Sequence, residues 1–265
     1  MNSEIICQIT EEEWEFKQKD VELNNLETQL AQAELELATF RGELDSFQAR
    51  YICAIGSRYF ELDEIEAEIA EIEAQQNPDD QAAQKKAQQA KAQAKESKKA
   101  AGNQRDLKKT PSRFKPTESL KKLYRQIAKR IHPDLALNDQ ERVRYQKLMA
   151  KANQAYQTGD EIGLQSILRQ CKKVGDNEKG EIEINKLARI IRKITQIQER
   201  LSAVKREKAE IRNSSLYQLK TKVEKAEGSG IDLLAEMARV LDHQIQMAIA
   251  KLEQMRLKGN GNIVS

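Results

Sequence analysis

The stretch ESLKKLYRQIAKRIHPDLALNDQERVRYQKLMAKANQAYQT, residues 118–158, decides the fold class. From Thr117 to Ile131 the apolar residues Leu120, Leu123, Tyr124, Ile127 and Ile131 fall on one side of a helix, with Lys122, Arg125 and Lys129 among its polar positions. Pro133 ends that helix, because its ring pushes His132 out of helical geometry. Asn138 followed by Glu141 has the spacing of a capping pair and starts a second helix, which reaches about Gln157. Its Tyr145, Met149, Ala152 and Tyr156 share one face. Thr158-Gly159 predicts a stop, and Asp160 can cap a short helix holding Ile162, Leu164, Ile167 and Leu168. Two amphipathic helices meeting at a proline corner, with a third short one after them, make a small helical module.

On both sides the chain reads as longer helices. Leu23, Leu26, Leu30, Ala33, Leu37, Phe40, Leu44, Phe47 and Tyr51 step by threes and fours, the heptad seam of a coiled coil. The seam resumes at Leu62, Ile65, Ile69 and Ile72 with a four-residue offset, a stutter. Asn77-Pro78-Asp79-Asp80 predicts the end of this rod. Residues 81–104 are nearly all Ala, Gln and Lys, a spacer that composition leaves open between a lone helix and disorder. After a polar linker at Gly175–Gly180, a second seam runs through Leu187, Ile190, Ile194, Ile197, Leu201 and Val204. It is interrupted at Asn213-Ser214-Ser215, and Gly228-Ser229-Gly230 predicts that the chain folds back. The stripe Ile231, Leu234, Ala238, Leu241, Ile245, Ala248, Leu252 and Met255 would then close on the preceding arm as a helical hairpin. The expected fold class is all-α: long coiled-coil helices around a small helical module, with a C-terminal helical hairpin.

Composition agrees with rods. One third of the 265 residues are charged and 5% are aromatic, too little bulk for one large core. Three distant cysteines, Cys7, Cys53 and Cys171, fit neither a disulfide framework nor a zinc module, which predicts a reduced, cytoplasmic setting. No apolar run approaches the ~18 residues of a membrane span. Residues 1–76 hold 19 acidic and 5 basic side chains, and the remainder hold 23 and 40, so the two parts carry −14 and +17. That asymmetry predicts pairing of the acidic first rod with the basic last hairpin, within or between chains.

Leu120-Lys121-Lys122-Leu123-Tyr124-Arg125-Gln126-Ile127-Ala128-Lys129-Arg130-Ile131-His132-Pro133-Asp134 resembles the second helix and signature loop of the J-domain family, the DnaJ-type co-chaperones. Asn153-Gln154-Ala155-Tyr156 similarly looks like the end of that family's third helix. The resemblance covers about residues 114–170. It implies that His132, Pro133 and Asp134 dock on the nucleotide-binding domain of a DnaK-type chaperone and stimulate its ATPase. Asp134 would offer a carboxylate to a partner arginine, while Lys122, Arg125, Lys129 and Arg130 would supply the steering positive surface. The chain departs from the family in lacking a tyrosine-rich first helix, a glycine-phenylalanine-rich stretch and a cysteine-rich zinc region. Phe114 and Pro116 are the residues at hand to cover the helix pair, and the short helix around Leu164–Leu168, or a coiled coil, must complete its core.

These readings divide the chain into an acidic coiled coil at 1–76, a spacer at 77–113, a J-domain-like module at 114–173 and a coiled-coil hairpin at 181–258. No phosphate loop, nucleophile with its base, or pocketed carboxylate pair is visible, so no catalytic residue, metal or cofactor is predicted and an enzyme is not expected. His243 reads as a surface residue rather than a ligand. The expected function is that of a co-chaperone recruiting a DnaK-type ATPase to a client protein of unknown identity held by coiled coils, which would also form homo-oligomers. The alternative is a coiled-coil scaffold whose basic half binds nucleic acid or an acidic partner.

Overall fold

The computed structural model describes residues 11–102, 113–136, 138–172 and 183–261, and the predicted linker Gly175–Gly180 lies outside them. The helices are α1 (Glu11–Tyr51), α2 (Ser57–Gln76), α3 (Gln81–Gly102), α4 (Glu118–Ile131), α5 (Asp139–Thr158), α6 (Glu161–Lys172), α7 (Glu183–Asn213), α8 (Ser215–Gly228) and α9 (Leu233–Gly261). A π-helical turn, Ile52–Gly56, joins α1 to α2, and a 3-10 turn, Pro133–Leu135, follows α4. The protein is all-α, with no strand among the described residues. No helix among them is long and apolar enough to cross a membrane.

The chain forms two compact units, Met1–Glu43 with Phe114–Ser214 and Leu44–Arg113 with Ser215–Ser265. Each therefore joins segments far apart in sequence.

In the first unit, α4 starts where the Thr117 hydroxyl accepts the Leu120 N–H at 3.1 Å, and Lys129 and Arg130 in its last turn suit the helix dipole. Asn138 caps α5 by accepting the Glu141 N–H at 2.9 Å. Gly159 ends α5 at φ 73°, a left-handed position that glycine takes without a Cβ clash. Ser119 at the start of α4 bonds Glu161 just beyond α5, while Tyr124 bonds Asn153 at 2.6 Å, so α4 and α5 run antiparallel. Leu120, Tyr124, Ile127, Ile131, Met149, Ala152, Tyr156, Leu164 and Ile167 form one core, and Ala31, Leu35 and Ala38 of α1 close it. Both α6 and a stretch of α1 thus complete the core of the α4–α5 pair. Phe114 packs edge-on to Tyr156 with ring centroids 5.6 Å apart. Gly42 makes room for that ring: a Cβ there would stand 2.8 Å from Phe114 Cε1. A second cluster sets Leu23 and Leu30 of α1 and Ile190, Ile194 and Ile197 of α7 around Leu135, the residue after Asp134. Phe16 packs on this cluster, whereas Trp14 is exposed.

In the second unit the π-helical turn falls between the two heptad registers, where a wider turn takes up part of the offset. Phe47, Ile55, Leu62, Val223, Leu234, Leu241 and Ile245 make its core. The predicted closure of the last helix on the whole preceding arm needs correction. α7 belongs to the first unit, and α9 packs chiefly on α2, with only a small contact to α8. Ion pairs accompany that apolar packing: Lys251 pairs with Glu73 at 2.8 Å, Arg256 with Glu68 at 2.6 Å, and Asp242 with Arg58 at 2.6 Å. The Ala/Gln/Lys spacer is helical as α3 and docks on α2. Ala87 is buried, Lys86 pairs with Glu73 at 3.1 Å and Lys91 with Glu71, and the buried Asp63 accepts bonds from Gln93 and Ser97.

Candidate functional site

The corner between α4 and α5 is built by backbone chemistry first. His132 is extended at φ −63°, ψ 134°, as a residue before proline must be. The Leu135 N–H then donates to the His132 carbonyl at 2.9 Å, closing the 3-10 turn. The Asp134 N–H donates to His132 Nδ1 at 3.2 Å. With Nδ1 an acceptor, the ring donates from Nε2, which lies 3.2 Å from Glu34 Oε1 of α1.

Glu34 is the centre of a network that spans the unit. Arg200 Nε of α7 donates to the same carboxylate at 2.7 Å, Arg200 Nη1 to Glu207 at 2.7 Å, and Arg41 Nη2 to Glu207 at 2.6 Å. Burial alone would raise the Glu34 pKa. The bonds from His132 and Arg200 outweigh it and hold the carboxyl below the ordinary range. Arg200 is shifted upward, since its two carboxylates more than offset the burial that opposes its charge. Buried ions are tolerable when each has such partners.

The side chain of His132 is only 6% exposed, so it holds the loop and is not itself at the surface. Asp134 keeps 23% of its side chain open and lies 3.6 Å from His132 Nδ1, beyond a good hydrogen bond. Asp134 and Pro133 border a cleft of about 520 Å3, lined also by Arg142 of α5 and by Glu199, Arg200 and Arg206 of α7.

The four basic residues of α4 do not share one face. Lys122 and Arg130 are exposed and point to solvent. Arg125 and Lys129 turn toward α1, Arg125 reaching Gln32 at 3.4 Å and Lys129 reaching Thr28 at 3.1 Å and Asn24 at 3.3 Å. In the core behind them, burial pushes the Tyr124 phenol up, moves Tyr145 to about 12 together with its bond to Glu141, and raises the Cys171 thiol. His243, on α9, is exposed.

Glu34, Arg200 and Glu207 escape sequence reading because Glu34 is 98 residues from His132 and 166 from Arg200, and the α7 stretch that holds Arg200 and Glu207 bears many other charges. The charge asymmetry signals that such pairs exist but not which ones. Comparison with protein-family models, curated proteins and solved structures gave no significant match for this chain.

Proposed function

We propose that this chain is a J-domain-like co-chaperone: the His132-Pro133-Asp134 corner recruits a DnaK-type ATPase and stimulates it at a client protein held by the helical arms. The observation that carries the reading is the partly exposed Asp134 carboxylate. It stands at a proline-fixed turn between two antiparallel amphipathic helices, the first of which exposes the cations Lys122 and Arg130. A partner arginine can bond a carboxylate held this way without either side first folding. We assign the work to the cytoplasm, where ATP is present and thiols stay reduced; Cys53 and Cys171 are free. Self-association is not part of the proposal, because Leu23, Leu30, Leu37 and Leu241, whose seams suggested it, are buried within one chain.

Because His132 is buried, substituting it disturbs the loop as well as any contact. Asp134→Asn is the sharper test: it leaves the main-chain bond to Nδ1 in place and removes only the charge. Purified full-length chain is expected to accelerate ATP turnover by a cognate DnaK-type chaperone, and Asp134→Asn to remove that acceleration with helicity unchanged. Equal stimulation by the variant rejects the mechanism. A second reading, nucleic-acid binding by the basic half, is favoured by one feature: α5 exposes Arg142, Arg144, Lys147 and Lys151, with no acidic residue from 142 to 159. Salt-sensitive nucleic-acid binding without any effect on the ATPase would select it.

A further inference from the structure

We propose that Glu34, anchored by Arg200, is a positioning residue for the loop: it selects the Nε2–H tautomer of His132 and so fixes the turn that carries Asp134. The inference rests on the reading of this loop as the docking element, but its central claim, a tautomer, can be observed without any partner.

The argument starts from the ring. A neutral imidazole has one donor and one acceptor nitrogen, and the bond made by one decides the role of the other. His132 has a neighbour at each end, the Asp134 N–H at Nδ1 and the Glu34 carboxylate at Nε2. Both demand the same assignment, with the proton on Nε2. If the ring took the other tautomer, an N–H would face an N–H at one end and a lone pair would face a carboxylate at the other. The ring would then have to leave its place, and the 3-10 turn carrying Asp134 would lose the side-chain bond that orients its first N–H. Glu34 can impose this choice because it is itself immobilised: Arg200 Nε grips the same oxygen, Oε1, at 2.7 Å, and Arg200 is in turn held by Glu207. The whole chain of bonds joins α1, α7 and the loop inside one unit, and the carboxylate is 8% exposed, so water does not compete for it.

Glu34 thereby acts through His132 and not on a partner. The distinction has a measurable consequence, since a group that only filled space would leave the tautomer to the Asp134 N–H alone.

The test uses the full-length chain labelled with 15N at histidine. The sequence holds only two histidines, so His243→Gln assigns the His132 signals. The wild type is expected to show Nε2 bearing hydrogen and Nδ1 without it. Glu34→Gln, which keeps an acceptor oxygen, should retain that pattern and most of the ATPase stimulation. Glu34→Met, close in size but with no oxygen, should give averaged nitrogen signals and lose stimulation on the order of tenfold, the usual consequence of leaving a buried polar group without its partner. A wild-type ring protonated on Nδ1 overturns the proposal at once, whether or not the Met variant folds. So does a folded Glu34→Met variant with an unchanged tautomer, or one that stimulates as well as the wild type. A wild type with the expected tautomer that never stimulates an ATPase instead defeats the co-chaperone reading and leaves the tautomer assignment standing.

Discussion

A buried carboxylate whose pKa is lowered in the folded state makes stability depend on pH in a known direction. Glu34 contributes above the carboxyl pKa of the unfolded chain, where it is ionised in both states, and that contribution fades as pH falls through the lower folded value. The stability difference between wild type and Glu34→Gln is therefore expected to be largest near neutral pH and to shrink at acid pH. Denaturant unfolding followed at several pH values checks this. A difference that grows on acidification would show that Glu34 is destabilised by its burial and not held by Arg200 and His132. The same residue scale explains why the His132-Pro133-Asp134 tripeptide is legible while its support is not. Proline at 133 acts on its immediate neighbours through covalent geometry, whereas the partner of His132 Nε2 is set only when α1 arrives.

At the scale of elements, most boundaries follow from short-range chemistry. Asn138, Gly159 and Asp160 were readable as helix caps or stops and act as such, Asp160 by accepting the Gly163 N–H at 2.8 Å, while the Thr117 cap emerged only in the structure. Asn138 also sets the far side of the candidate loop. Asn138→Ala leaves the Glu141 N–H without its acceptor and is expected to cost about 1 kcal/mol in unfolding free energy. Thermal or denaturant melts measure it, and a cost near zero would show that the main-chain turn alone starts α5. The spacer is the element where composition was silent. Its alanines present a thin surface that is stable only against α2, and whether such a surface finds α2 is not written in its own propensity. The exposed lysine pairs that accompany the docking add little energy in water, so the alanine contact and the buried Asp63 bonds carry it.

Over the whole molecule, the division into two units has a thermodynamic consequence. Their cores share no residue: Ile127 is fully buried in the first, and Ile245 lies in the core of the second. Ile127→Ala is expected to cost about 2–5 kcal/mol. Hydrogen exchange should then show the loss across α4, α5 and α6, while α2, α3 and α9 keep their protection. Uniform loss in both would mean that the units unfold together. The charge asymmetry also resolves at this scale. Acidic residues of α1 and α2 meet basic residues of α7 and α9 within the respective units, as in Lys208 with Glu36 at 2.8 Å and Lys251 with Glu73 at 2.8 Å.

The sequence by itself determined that the chain is helical, where several helices begin and end, and that a proline-fixed corner with His132 and Asp134 separates two amphipathic helices. Those properties depend on periodicity, capping and covalent restriction, which act over a few residues. Only the tertiary structure decided that α1 completes the core of the central module, that α9 chooses α2, and that Glu34 and Arg200 grip His132. Those choices depend on which of many similar apolar stripes and opposite charges meet after distant segments come together, and a local pattern contains no term for that.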